Sequence, residues 1–263
     1  MTSKKKLVSI ITSIIIILGS VVITQFQKLH NPEQNQTTKQ NTATDTSIEE
    51  NWSYEKYPDY YSVVGKAQID DANFENLTQD INNPDFQIAT TYTGKDELGR
   101  TLPVYAITTL KAVQKSSAEK RPDFKQNDNP SGWTKNSKVS IETSTGIYNG
   151  WFWNRSHLLA DRLGGKATSD NAITGTRMQN VGNRSNSGGM AYIEEKTVDY
   201  LRTHRTALVY YAVTPVYKDS ELIPRYVIVD AKSNDNVLNE RIVVYNYQNG
   251  YTLNYKNGKF TKS

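Results

Sequence analysis

The chain has 263 residues, 37% apolar and 22% charged, which suits one ordinary globular domain with a tail. The absence of cysteine excludes disulfide partners, thiolate zinc sites and cysteine nucleophiles. Thirty-one basic against 27 acidic residues give a net charge of +4, compatible with a polyanionic partner without identifying one.

Three lysines, Lys4 to Lys6, precede 18 uncharged residues from Leu7 to Thr24, rich in Ile and Val. A positive start before an apolar run is the pattern of an export signal. No small-x-small cleavage site follows, so residues 1–24 read as an uncleaved single-pass anchor, in preference to a cleaved signal peptide. In that reading the lysines face the cytoplasm and the rest lies at the extracellular face of the membrane, or is secreted if the signal is cut. Residues 25–50 form a polar tether too poor in apolar groups to offset the entropy of ordering. The body, 51–263, carries 26 basic and 23 acidic residues and has the size of one domain.

Within the body, Asp71 to Gln79 reads as a short helix capped by Asp70-Asp71. Residues 91–100 hold a turn, and Leu102 to Leu110 alternates as a strand. Ser116 to Gly132, charged and proline-bearing, reads as a long surface loop. The aromatic run Gly146 to Asn154 reads as one strand. Gly188 to Thr203 places Met190, Ile193, Thr197, Tyr200 and Leu201 on one helical face. Further strands are expected at Ala207 to Val216, Tyr226 to Val229 and Ile242 to Tyr247. Strands outnumber helices and do not alternate with them, which points to an α+β fold around an antiparallel or mixed β-sheet.

Three histidines make the search for a general base short. His30 falls in the tether, and His204 ends a helix, where a cation favours the dipole. His157 stands where an aromatic strand meets a polar corner, in Trp151-Phe152-Trp153-Asn154-Arg155-Ser156-His157. An imidazole there is suited to proton transfer, and Arg155 beside it offers a planar fork for phosphate. Downstream come Asn171, then Gln179-Asn180, then a Gly- and Asn-rich loop and a helix with Glu194. Carboxamide and carboxylate oxygens are hard ligands, suited to magnesium more than zinc. Asn183 and Asn186 are alternatives to Asn180 a few residues away. Arg162, Lys166, Arg177 and Arg184 lie between motif and helix; they read equally well as phosphate contacts or as ordinary surface.

The stretch from Trp151 to about Thr203 resembles the DNA/RNA non-specific endonuclease family, and within it the streptococcal extracellular and membrane-bound DNases. The resemblance rests on Asn154-Arg155-Ser156-His157, on Asn171 and Met178-Gln179-Asn180, and on Tyr192-Ile193-Glu194. Asn154 and Ser156 depart from the wider family's Asp-Arg-Gly-His. The resemblance implies a ββα-metal motif, a strand pair presenting His157 against a helix that carries Glu194. It implies that His157 deprotonates the attacking water and that Arg155 and Glu194 serve the chemistry. Asn180 would bind Mg2+ directly, with Mn2+ as a substitute, Glu194 would hold the ion through water, and Asn171 would support the site. The expected activity is sequence-nonspecific cleavage of DNA, with RNA an open second substrate. The alternative is a non-catalytic surface receptor for nucleic acid on the same fold.

Overall fold

The structure, a computed structural model, describes residues 52–263. The expected anchor and tether, 1–50, lie outside the described residues. Among the described residues no helix is long and apolar enough to cross a membrane.

Twelve strands and three helices make up the described body. In chain order they are β1 (Tyr61–Gly65), β2 (Ile88–Tyr92), β3 (Val104–Thr108), α1 (Leu110–Ala118), β4 (Lys138–Thr143), β5 (Gly146–Trp151), β6 (Trp153–His157) and β7 (Ala172–Thr176). There follow α2 (Arg177–Val181), α3 (Gly189–Thr203), β8 (Val209–Val216), β9 (Tyr226–Ser233), β10 (Asn239–Tyr245), β11 (Tyr251–Leu253) and β12 (Phe260–Lys262). Six strands form one sheet in the order β1-β10-β9-β8-β3-β2, antiparallel at every pairing. The fold is α+β, and its sheet is antiparallel rather than mixed. Three separate hairpins, β4–β5, β6–β7 and β11–β12, lie outside the sheet.

Alternation along β3 shows how the sheet is covered. Val104 and Ala106 face the main core with Val213, Val229, Val244 and the helix residues Met190, Ile193 and Leu201. Tyr105 and Ile107 face the opposite side, against Phe74 and Leu77. Successive strand residues point to opposite faces, so this strand is buried on both. The helical face expected over 188–203 is the one that packs: Met190, Ile193, Thr197, Tyr200 and Leu201 are all buried.

The strand expected at Tyr226 to Val229 runs on to Ser233, the one expected at Ile242 to Tyr247 is Asn239–Tyr245, and three further differences have a visible cause. Residues 71–79 make two short 3-10 turns, Asp71–Asn73 and Glu75–Leu77, the first capped by Asp70 Oδ1 accepting from Ala72 N at 3.1 Å. The strand expected to run to Leu110 stops at Thr108, and α1 then occupies the start of the expected surface loop. The aromatic run is two strands, because Phe152 breaks it. Phe152 N donates to Ser137 O at 3.0 Å and its ring packs with Ile223 and Tyr255, so β5 pairs with β4 while β6 pairs with β7.

Candidate active site

β6 and β7 pair in the register Asn154↔Gly175 to His157↔Ala172, which holds His157 at the end of a rigid ribbon. The chain turns directly from β7 into α2. Thr176 caps that helix, its Oγ1 accepting from Gln179 N at 2.9 Å, and Gly182 closes it at φ +73°. A Cβ on Gly182 would lie 2.5 Å from Asp59 O, so only glycine fits this close, left-handed turn. The strand–strand–helix unit is therefore β6–β7–α2, and its helix carries Asn180. Glu194 sits on the following helix, α3, not on the helix of the unit itself as the sequence reading had it. α2 comes directly after β7, and α3 packs against α2 and α1.

A cleft of about 590 Å³ is lined by His157, Asn180, Arg155, Arg177, Arg121 and Phe124, among others. His157 is 7% exposed, and its Nε2 is buried without a hydrogen-bond partner. Burial, then the positive charge of Arg121, lowers its pKa to about 4. The ring is therefore neutral at physiological pH, with a lone pair to accept a proton. Phe124 covers it at 4.9 Å between ring centroids. Asn180 accepts from Ser156 Oγ at 3.1 Å through Oδ1, so the motif's serine aims the carboxamide.

Glu194 is buried, and burial raises its pKa to about 7 against the opposing pull of Arg162 and Arg121. The charge of Arg121 bears on both His157 and Glu194, although Glu194 itself does not line the cleft. Arg162 Nη2 lies 3.7 Å from Glu194, and the same guanidinium pairs with the exposed Glu195. The Tyr211 hydroxyl, buried without a partner, is held protonated by its own burial and by Glu194.

Two residues of the motif act as braces. Arg155 donates to Asn129 Oδ1 from Nε at 2.9 Å and from Nη2 at 2.6 Å, and lies between the rings of Phe124 and Trp133. It clasps the 119–130 loop over the cleft. Asn171 is fully buried; its Oδ1 accepts from Leu159 N, and its Nδ2 donates to Leu159 O and Lys166 O, all at 2.8–2.9 Å. The backbone it holds passes so near Gly165 that a Cβ there would lie 1.9 Å from Leu159 O.

The basic residues divide. Arg177 lines the cleft, its guanidinium over Tyr148 and bonded to Asn186 Oδ1 at 2.6 Å. Arg162 is engaged with the two glutamates, Lys166 lies over Tyr92 in a neighbouring groove, and exposed Arg184 sits by Gly146 in the β4–β5 turn. Of the four, only Arg177 lines the cleft; Arg162, Lys166 and Arg184 lie outside it. Asn183 is turned toward Asp59, to which its Nδ2 donates at 2.8 Å. Arg121, Phe124 and Trp133 were not anticipated, since the loop that brings them has no periodicity to read.

Among the described residues no group of three or more His, Cys, Asp or Glu could enclose a metal ion. One carboxamide oxygen and one buried carboxylate, with an unpartnered imidazole nearby, fit a hard divalent cation that keeps most of its own water. Asn180 and Glu194 are the residues that would hold it.

Known proteins resemble this chain in sequence and in fold. The family described as DNA/RNA non-specific endonuclease matches residues 75–235. A deoxyribonuclease of Streptococcus dysgalactiae subsp. equisimilis is 32% identical over 256 residues, 83% of this chain and 77% of that protein. The Sda1 nuclease, solved with a bound zinc ion, is 36% identical with a TM-score of 0.74, over 81% of this chain and 100% of that one. NucA from Streptococcus agalactiae, solved with magnesium bound, shares the fold at 24% identity and a TM-score of 0.53, over 69% of this chain and 81% of that one. The chain belongs to the DNA/RNA non-specific endonuclease family and is a hydrolase, an endonuclease.

Proposed function

We propose that the protein is a magnesium-dependent, sequence-nonspecific endonuclease that cuts DNA, and RNA as a second substrate, at the outer face of the cell membrane or beyond it. The observation that carries the chemistry is His157: a buried, neutral imidazole whose Nε2 has no protein partner, in a cleft with Asn180 and three arginines. His157 takes a proton from water as the water oxygen bonds to phosphorus, and the P–O bond to the leaving oxygen breaks. A divalent cation, when bound, would neutralise charge on the phosphate and the leaving oxygen. Asn180 offers it a neutral oxygen that leaves its charge undiminished, and Glu194 offers a carboxylate. Arg177 and Arg121 meet the phosphate without reading sequence, and Arg155 holds the loop in register. The basic start and uncharged run of residues 1–24 support the extracellular placement.

Plasmid DNA incubated with the full-length protein tests the reading. The parent is expected to fragment it with magnesium and to leave it intact with EDTA. His157→Ala is expected to lose about 10²- to 10⁴-fold in rate. A variant within about tenfold of the parent would remove His157 from the role of base. A parent that binds DNA but never cuts it would instead favour the receptor reading.

A further inference from the structure

Packing accounts for three of the four tryptophans. Trp153 is 1% exposed, and Trp133 and Trp52 pack against buried clusters. Trp151 is different. It is 51% exposed and contributes to none of the hydrophobic clusters among the described residues. A lone exposed apolar side chain needs no special explanation; its position here does. Trp151 lines the same cleft as His157, Asn180 and Arg177.

The surroundings hold this ring ready without burying it. Trp151 ends β5 opposite Lys138, in a six-pair antiparallel hairpin. The next residue is tied to Ser137 O, and Trp153 is held on both sides by Asn136, whose Oδ1 accepts from Trp153 N at 2.9 Å while its Nδ2 donates to Trp153 O at 2.7 Å. The indole backbone thus stands on a rigid corner. The Lys138 ammonium lies 5.6 Å from the ring centroid, a cation beside a π-face. Six residues separate Trp151 from His157, so even at full strand rise the two lie within about 20 Å. A strand bound across His157 passes Trp151 within a few nucleotides.

We infer that Trp151 is a stacking platform for an unpaired nucleobase of the strand being cut, with Lys138 placed against the adjoining phosphate. The inference rests on the nuclease reading above and adds a specificity determinant to it. Every base presents a π-face, so the contact is indifferent to sequence. A base within a duplex has both faces covered by its neighbours, so the platform favours single strands and frayed or looped segments over intact duplex.

The test uses the full chain carrying His157→Ala, which binds without consuming its substrate. Binding of a fluorescent oligo-dT and of a blunt duplex of the same length is measured in magnesium, with Trp151, Trp151→Phe and Trp151→Ala. Stacking on one base makes Trp151→Ala about tenfold weaker for the single strand. Trp151→Phe, which keeps a π-face, stays within about threefold, and the duplex changes by less than about twofold for either variant. The platform is overturned if Trp151→Ala binds the single strand as tightly as the parent. It is overturned equally if single strand and duplex lose the same factor, or if Trp151→Phe is as weak as Trp151→Ala. The chain with His157 intact, assayed for cleavage of both substrates, separates the two readings: no cleavage of either sinks the nuclease reading and this inference with it, whereas cleavage with Trp151-insensitive binding sinks the inference alone.

Discussion

His157 and Glu194 are both buried titratable groups, and their burial has opposite consequences for pH. The Glu194 pKa rises to about 7 on folding, so its contribution to stability is fully present below about pH 4.5 and is lost as pH rises through about 7. The His157 pKa falls to about 4, so its contribution is present above about pH 6.5 and is lost as pH falls toward 4. In EDTA, Glu194→Gln should therefore gain on the parent in unfolding free energy between pH 5 and 8, by up to ~3 kcal/mol. A difference that stays flat with pH would show that no burial cost rests on this carboxylate. Added magnesium should narrow the gap, since a cation compensates the charge. The activities of two variants separate the metal roles. Asn180→Ala should lose magnesium affinity and nearly all activity together. Glu194→Gln should be milder, with a loss on the order of 10–100-fold, because a carboxamide still accepts a hydrogen bond. Magnesium titration of both decides it: a dead Glu194→Gln beside an Asn180→Ala that recovers at high magnesium would exchange the two roles.

At the scale of elements, the cleft depends on two loops, in each of which one side chain makes more than one of the fastening bonds. Asn171 satisfies three backbone groups of the 158–166 loop, the buried N–H and C=O of Leu159 and the part-buried C=O of Lys166. Asn171→Ala strands them, and each buried unsatisfied group costs ~1–3 kcal/mol. A drop of several kcal/mol in urea unfolding is expected, and a loss below ~1 kcal/mol would show that water replaces the carboxamide freely. The 119–130 loop is clasped differently, by Arg155 on Asn129 Oδ1. Because this loop buries little, Asn129→Ala should leave global stability nearly unchanged while amide exchange across 119–130 speeds up. Activity should fall with it, since Phe124 and Arg121 ride on the same loop. Unaltered exchange in that loop would mean that Arg155 is not what holds it.

For the whole molecule, the modest positive charge bounds how nucleic acid is held. Arg121 and Arg177 line the cleft as phosphate contacts and Lys138 would add a third, while Arg155 is engaged with Asn129 and Arg162 is neutralised by Glu194 and Glu195. With about three phosphates engaged, log affinity for a single strand should fall against log salt with a slope of about −2. A slope steeper than about −5 would require a wider footprint that recruits Lys166 and Arg184. The placement of the protein in its host is tested by fractionation. Nuclease activity should stay with the membrane fraction and be destroyed by external protease. A shortened form in the medium, starting between residues 25 and 50, would mean that the signal is cleaved.

The sequence alone determined what depends on neighbours in the chain. The Asn154-Arg155-Ser156-His157 motif was legible because its residues are contiguous, and the search for a base narrowed to His157 because only three histidines exist. The face of α3 was legible because a 3.6-residue period records which side is buried. The α+β class followed from strands that do not alternate with helices. Helix α1 was not legible: nine residues with only Leu110, Ala112 and Val113 buried make no stripe. The break at Phe152 was hidden because the whole run favours strand, and only packing against Ile223 and Tyr255 divides it. The tertiary structure alone decided the strand order, the turning of Arg155 to Asn129 and of Arg162 to the glutamates, and the roof of Arg121 and Phe124 over His157. Each of these contacts joins residues at least 26 positions apart in sequence. Side-chain partners at that separation are chosen by which surfaces the fold brings together, and local composition carries no record of the choice.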